Sequence, residues 1–429
     1  MKLPRLFKSI SGSLILKLIG LVSSFLISVL LARTLGPEKF GVYSYVFAII
    51  TILTIPTNNG FPNMIVRYTS MYSIKSKHAL LKGLYSFSNT TSLLISLSLM
   101  FIAVLINAFT SNNLYMYIGF SMIPILALCA VRSAILNGLE RVIFSQIPDK
   151  IINPTVFILL YSIYYIISDS DEISLAMTFS LKLLALIISF IFGTIFLFKL
   201  LPKKLINLKS EFEKKKWIKT AIPMLLVGGM MFLNNRLDLL LIGLLKSMYE
   251  VGVYQVVTRG AEVIVFGLSA LNIVFSPKFS KYFTLNDSVS LQNAFTTSAR
   301  IIFCISFPIA TLFIFWGEDI LVSIYGSDYA GGGTAIAILS VGQLINSMFG
   351  AVGQLLIMTG YEKLNAKVIG FALLCNLILN VLLIPHLGIN GAALATSLSM
   401  IIWNFILAYL VYKKLNVYPT IFKGKSFRN

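Results

Sequence analysis

The sequence predicts an all-α polytopic membrane protein, about 12 transmembrane helices in two parallel six-helix bundles. Three observations carry this. Twelve apolar segments of about 20 residues or more alternate with short polar breaks, and a helix of that length matches a hydrocarbon core about 30 Å thick. Hydrophobic residues make up 57% of the chain and charged residues 12%, with a mean hydropathy of +0.87, whereas a soluble domain carries about 25% charged residues. The cations also alternate. Of 35 Lys and Arg, 27 fall in breaks facing one side, three (Arg33, Lys39, Lys246) in breaks facing the other, and five inside the apolar segments.

Span 1 (11–32) follows Lys2, Arg5 and Lys8 and so resembles a signal peptide. Its apolar run reaches about residue 32 without a small-residue cleavage site, which reads as a retained span. Span 2 (41–66) is irregular, because Pro56 and Pro62 bracket Thr57, Asn58, Asn59 and Gly60. Proline removes a helix hydrogen bond, and non-helical backbone at depth is tolerated only inside protein or beside water. A hinge and a fixed kink both fit. Spans 3 to 6 (84–106, 115–138, 147–168, 173–199) complete an N-terminal bundle, 1–200.

The longest break, 201–217, is a basic linker. Around it lie Lys199, Lys203, Lys204, Lys209, Lys214, Lys215, Lys216 and Lys219. Spans 7 to 12 (218–245, 250–275, 299–325, 333–359, 364–386, 388–412) form a C-terminal bundle, 218–412. A basic tail, 413–429, adds Lys413, Lys414, Lys423, Lys425 and Arg428. The positive-inside rule places both termini in the cytoplasm. The opposite breaks carry Asp169, Asp171, Glu172, Glu318, Asp319 and Asp328, and GSDYAGGGT (326–334) among them reads as a flexible turn. The net charge of +19 is thus mainly topology rather than a nucleic-acid surface. Some inner-face lysines are placed to touch anionic lipid.

Both halves hold six spans and share one orientation. Span 1 ends in LARTLGPEKFGVYSYV (31–46) and span 7 in LIGLLKSMYEVGVYQVV (241–257), so Gly-Val-Tyr opens a helix in each. Parallel repeats of this kind are a transporter pattern with the substrate site between the halves.

Polar residues recur at helical spacing within spans: Ser13, Lys17, Gly20, Ser24 and Ser28; Thr178, Lys182 and Ser189; Gln255, Arg259, Glu262 and Ser269; Gln343, Ser347, Gly350 and Gln354. Such stripes face a bundle interior or a wet cavity. Ser and Gly alone fit close helix packing. An ammonium or guanidinium costs roughly 2.5–3.5 kcal/mol at depth, so Lys17, Lys182 and Arg259 point to a cavity. Arg259 and Glu262, three apart, can pair. Arg236 and Asp238 in span 7 lie two apart, on different walls of a helix, while Asn234 and Asp238 share a face. Arg132, near the inner end of span 4, fits snorkelling to the interface. With the charges toward the span ends assigned to the breaks, Lys17, Arg132, Lys182, Arg236 and Arg259 stand against two acids, Asp238 and Glu262, so the interior invites an anion. Asp238 and Glu262 are candidate ion-coupling sites and Pro56 and Pro62 a candidate hinge.

Cys129, Cys304 and Cys375 read as buried spectator thiols. His78 and His386 have no partners at metal-ligand spacing. Neither a phosphate loop nor a nucleophile elbow occurs. No catalytic residue, cofactor or metal is expected.

Three segments resemble a known family: LARTLGPEKFGVYSYV, the pair NNRLDLLLIGLL and VGVYQVVTRGAEV (234–263), and IPHLGINGAALATSLS (384–399). They are similar to the polysaccharide transporter family of the multidrug/oligosaccharidyl-lipid/polysaccharide (MOP) superfamily, which includes the O-antigen flippases. The resemblance implies two bundles around a central cavity, alternating access, and a polyprenyl-diphosphate-linked oligosaccharide as substrate. It implies Arg236, Asp238 and Arg259 as cavity residues; Lys17 and Lys182 come from spacing alone. The expected protein is an inner-membrane flippase serving O-antigen, capsule or similar polysaccharide, with polysaccharide polymerase machinery as a partner. A drug-cation exporter is one rival, but it needs cavity acids. A polymerase or glycosyltransferase is another, and it needs a larger loop or a clustered catalytic face. A scaffold is the third.

Overall fold

Hydrocarbon offers the backbone no water to bond, so each crossing segment satisfies its own amides as a helix. The computed structural model describes residues 3–168, 173–202 and 208–421, with side chains from Gly12 onward. The acids Asp169, Asp171 and Glu172 and the cations Lys203, Lys204, Lys423, Lys425 and Arg428 lie outside the described residues, as do the side chains of Lys2, Arg5 and Lys8. In chain order the helices are α1 (Leu3–Leu53), α2 (Phe61–Ile74), α3 (His78–Thr110), α4 (Leu114–Phe120), α5 (Met122–Gly138), α6 (Val142–Ile147), α7 (Asn153–Ile167) and α8 (Leu175–Leu200). They continue with α9 (Lys214–Asn234), α10 (Leu237–Leu245), α11 (Met248–Ile264), α12 (Phe266–Thr284), α13 (Ser288–Tyr325), α14 (Gly333–Phe349), α15 (Val352–Met358) and α16 (Glu362–Leu415).

Among the described residues, ten helical stretches are long and apolar enough to cross a membrane. Two of them, Gly12–Leu53 and Glu362–Leu415, are 42 and 54 residues long, about twice a bilayer core or more. Each is divided by a glycine at positive φ: Gly36 (φ 71°) and Gly388 (φ 56°). Only glycine enters such backbone without strain. Dividing at these two points turns ten stretches into twelve crossings, the expected number.

Several predicted spans are broken where the sequence read them as continuous. Span 7 stops at Asn234 and resumes at Leu237, with Arg236 non-helical (φ −126°, ψ −11°). Span 8 changes direction at Val265 (φ −90°, ψ 0°), which separates Ser269 from the stripe ending at Glu262. Span 10 breaks at Gly350 (φ 63°), so Gln354 does not continue the line of Gln343 and Ser347. The glycine-rich 326–334 stretch is not a loose turn. Ser327–Gly332 winds into a tight helical turn that buries Tyr329, whose ring packs 5.9 Å from that of Tyr325. Of the cysteines, Cys129 is buried but Cys375 is half-buried and Cys304 exposed.

Contacts divide the chain into two compact units. The first comprises residues up to Leu35 with Val46–Phe232. Its core joins α2, α3, α5 and the start of α9 through Met64, Tyr68, Tyr72, Leu84, Ile135 and Trp217. Buried Trp217 donates Nε1–H to Tyr72 Oη at 3.0 Å, and Tyr72 donates to Glu213 Oε2 at 2.7 Å. Glu211 N donates to Ala79 O at 3.1 Å. These ties hold the end of the basic linker and the first part of span 7 to the first unit. The contact boundary therefore falls at Phe232, not near residue 217, where composition alone had put it.

The second unit comprises Gly36–Tyr45 with the chain from Leu233 onward. Its core gathers Phe275, Phe279, Phe295, Leu355, Leu356 and Val411. Here the two Gly-Val-Tyr segments meet. A Cβ on Gly41 would lie 1.7 Å from Met248 O, and one on Gly252 would lie 2.0 Å from Pro37 O. Each glycine thus faces the carbonyl four residues before the other, a reciprocal contact that only two glycines can make.

Candidate functional site

The first unit builds its site from two wide turns. Pro56–Gly60 and Pro148–Ile152 each open with proline and wind wider than an α-helix, a deviation that recurs at functional sites. They bring Asn58 and Asp149 to one cavity of about 300 Å³, lined also by Phe47, Cys129, Asn153 and Lys182. Lys182 Nζ, on α8, donates to Asn153 Oδ1 at 2.9 Å and sits 4.7 Å over the ring of Phe157. Among the described residues no carboxylate lies within ion-pair distance of Lys182.

Asp149 is already partnered. Arg132 Nη2 donates to it at 3.2 Å and Ser133 Oγ at 3.1 Å. Arg132 does not snorkel to the interface, as its position in span 4 had suggested. It is 3% exposed and donates to the carbonyls of Ser189 and Phe190 on α8. Gly193 leaves the room, since a Cβ there would lie 2.2 Å from the guanidinium carbon. Ser189 Oγ in turn donates to Pro148 O at 2.7 Å, holding the second wide turn. The sequence reading missed Asp149 because it sits two residues inside the predicted start of span 5, where it passes for part of a polar break.

The span 1 stripe is mostly a packing seam. Ser13 and Gln146 hydrogen-bond at 3.0 Å, a Cβ on Gly20 would meet the Lys150 stem, and Ser28 is buried. Lys17 stands exposed. Pro56 and Pro62 lie on either side of the first wide turn, at its opening and in the first turn of α2.

The second unit holds two charged groups close in sequence but in different surroundings. Asp238, in the first turn of α10, is 7% exposed. It accepts from Tyr254 Oη at 2.9 Å, from Asn380 Nδ2 at 2.9 Å and from Thr396 Oγ1. Asn376 extends this network, accepting from Asn380 Nδ2 at 3.0 Å and donating to Thr396 at 3.2 Å. Arg236 stands at the break before α10, within electrostatic reach of Arg259 and Glu262. Arg259 Nη1 pairs with Glu262 Oε2 at 2.8 Å. Arg236 and Asp238 do face different environments, although a break between helices and not continuous helical twist separates them.

Tyr254, Asn376, Asn380 and Thr396 were missed by sequence reading. The signal was Asn376 and Asn380, four apart in the otherwise apolar ALLCNLILNVLLIP, a spacing that places both on one helix face.

Charged and amide side chains buried at membrane depth commonly mark substrate or ion pathways. The fold superposes on a multidrug resistance MATE family transporter of the MOP superfamily in its inward-facing conformation, with a TM-score of 0.78. That match covers 92% of this chain and 94% of that one at 11% identity. It superposes on the lipid II flippase MurJ in an inward closed conformation with a TM-score of 0.72, over 92% and 86% at 18% identity. The molecule is a multi-pass membrane protein with the fold of the MOP superfamily.

Residues 30–332 match the family described as polysaccharide biosynthesis protein, and the chain belongs to it. It is 25% identical over 422 residues to the capsular polysaccharide biosynthesis protein CapF of Staphylococcus aureus, covering 95% of this chain and 99% of that protein. It is 22% identical over 374 residues to Agl15 of Haloferax volcanii, a probable low-salt glycan biosynthesis flippase, covering 86% and 75%.

Proposed function

We propose that the protein is a flippase. It carries polyprenyl-diphosphate-linked oligosaccharide units from the cytoplasmic to the periplasmic leaflet of the bacterial inner membrane by alternating access. The units then pass to polysaccharide polymerase machinery for O-antigen, capsule or a similar surface polymer. One observation carries this reading. Arg259 pairs with Glu262 and Arg236 lies within electrostatic reach of both, which leaves a net positive group at a helix break. Guanidinium forks match phosphate oxygens in charge and geometry. Lys182 and Lys17 offer further cations to the anionic substrate in the first unit. No covalent step is required. The family and the names of the two relatives support the polysaccharide role, and the basic breaks support cytoplasmic termini.

Asp238 is the proposed ion-coupling residue. Its three partners are all neutral donors, so no cation among them occupies the carboxylate and H⁺ or Na⁺ can exchange there. Glu262 is less suited, because Arg259 already holds it. With a negative interior, outward movement of an anion gains about 2.3 kcal/mol per charge per 100 mV.

The test is Arg259→Ala at matched expression and membrane insertion. Single lipid-linked units should arrest on the cytoplasmic leaflet and surface polysaccharide should disappear. Normal polysaccharide would sink the assignment. A deletion strain with unaltered lipid-linked units but raised drug sensitivity would replace the reading with drug efflux.

A further inference from the structure

The cavity of the first unit carries one net positive charge. Arg132 and Ser133 satisfy Asp149, so the Arg132–Asp149 pair cancels and Lys182 remains. The Lys182 ammonium spends one N–H on Asn153 and lies over Phe157, which leaves a donor for an occupant of the cavity it lines. The amides of Asn58 and Asn153 add neutral polar groups. Asp149, 41% exposed despite its pairing, adds an acceptor. At about 300 Å³ the space lies at the small end of ligand sites, which span about 300–1,000 Å³. It suits one ring and not an oligosaccharide.

A diphosphate bears more than one negative charge and is best met by several cations or Arg forks. One lysine amid amides and a carboxylate acceptor instead matches a single negative charge on a hydroxyl-bearing ring. We propose that this cavity is a subsite for an acidic sugar. Lys182 pairs with the carboxylate of one uronate ring, while Asn58, Asn153 and Asp149 meet its hydroxyls. This rests on the flippase reading and narrows it, since the transported oligosaccharide then contains a uronic acid.

The experiment is titration of the purified full-length protein in lipid nanodiscs with methyl β-D-glucuronide, its methyl ester and methyl β-D-glucoside, followed by saturation-transfer NMR. A charged hydrogen bond of ordinary strength predicts that the glucuronide binds about ten- to a hundredfold more tightly than either neutral glycoside. Lys182→Gln should erase that difference, and Lys182→Arg should restore part of it. Asn58→Ala should weaken all three ligands and leave the difference in place. Equal binding of glucuronide and ester to the unaltered protein overturns the proposal without reliance on any variant. So does full discrimination in Lys182→Gln, or no binding of any glycoside. Free-glycoside binding needs no transport, so those failures remove the subsite alone. Absence of leaflet arrest in the Arg259→Ala experiment removes the flippase reading itself.

Discussion

Replacing either glycine of the Gly41–Gly252 contact by alanine tests how the two signature segments pack. The new methyl would start 1.7 Å from Met248 O at Gly41, or 2.0 Å from Pro37 O at Gly252. An ordinary contact begins near 3.4 Å, so the backbones must part by 3.4 − 1.7 = 1.7 Å or 3.4 − 2.0 = 1.4 Å. Both obstacles are backbone carbonyls on helices and cannot swing aside. Overpacking costs typically about 1–3 kcal/mol, and separating the seam also forfeits Cα–H···O contacts of about 0.5–1 kcal/mol each. Each single variant should therefore lose about 3 kcal/mol or more. That is a fall in Tm of about 6–12 °C on the scaling for a unit of this size. The double variant should lose less than the sum, because the first methyl already opens the seam that the second needs. The assay is thermal unfolding of purified protein, with Gly331→Ala as control, since a Cβ there meets nothing within 4 Å. Single variants as stable as the control, or full additivity in the double, would refute the reasoning.

Three other outcomes are expected. Asp149→Ala leaves Arg132 buried without its counter-charge and should cost about 3–5 kcal/mol, whereas Arg132→Met with Asp149→Leu should recover most of the loss; thermal unfolding of the two variants beside the unaltered protein checks this. Asp238→Asn should insert normally yet lose the response of leaflet transfer to an imposed H⁺ or Na⁺ gradient, and a retained response argues against the coupling role. At the basic linker, hydrogen bonds from Lys216 and then Tyr72 hold the Glu213 carboxyl below its ordinary value of 4.5. The depressed value means that its contribution is present at neutral pH and is lost as pH falls below 4.5 through the folded value. Protease nicking near 208–213 should accordingly rise with acid in the unaltered protein and be high at all pH in Glu213→Gln; an unchanged nicking pattern contradicts the linker's anchoring.

Some of this site could be read directly from the residues. The kinks at Gly36 and Gly388 fall inside TLGPEK and PHLGING, where glycine beside proline announces a stop. Lys182 stood out because an ammonium in an apolar span needs a reason. Asp149 did not, because a carboxylate beside Lys150 at a span end looks solvated until Arg132, from another helix, is seen to reach it. The role of Arg132 was misread for the same reason. Asn376 and Asn380 were quiet because asparagine is cheap enough at depth to pass for packing. The break at Arg236 has neither glycine nor proline to mark it. The weak helix formers Asn234, Asn235 and Asp238 are its local signal.

The sequence by itself determined that the chain crosses a membrane about twelve times, which breaks are basic, and which lone cations sit at depth. Hydropathy, length and charge are local quantities, and the bilayer acts on each segment as the chain presents it. Only the tertiary structure decided that Arg132 neutralises Asp149, that Lys182 keeps an unpaired charge beside a cavity, and that Asp238 gathers Tyr254, Asn380 and Thr396. Those are pairings between helices distant in sequence. Whether a buried charge is cancelled or left available depends on which partner the packing brings within about 3 Å, and no local pattern encodes that distance.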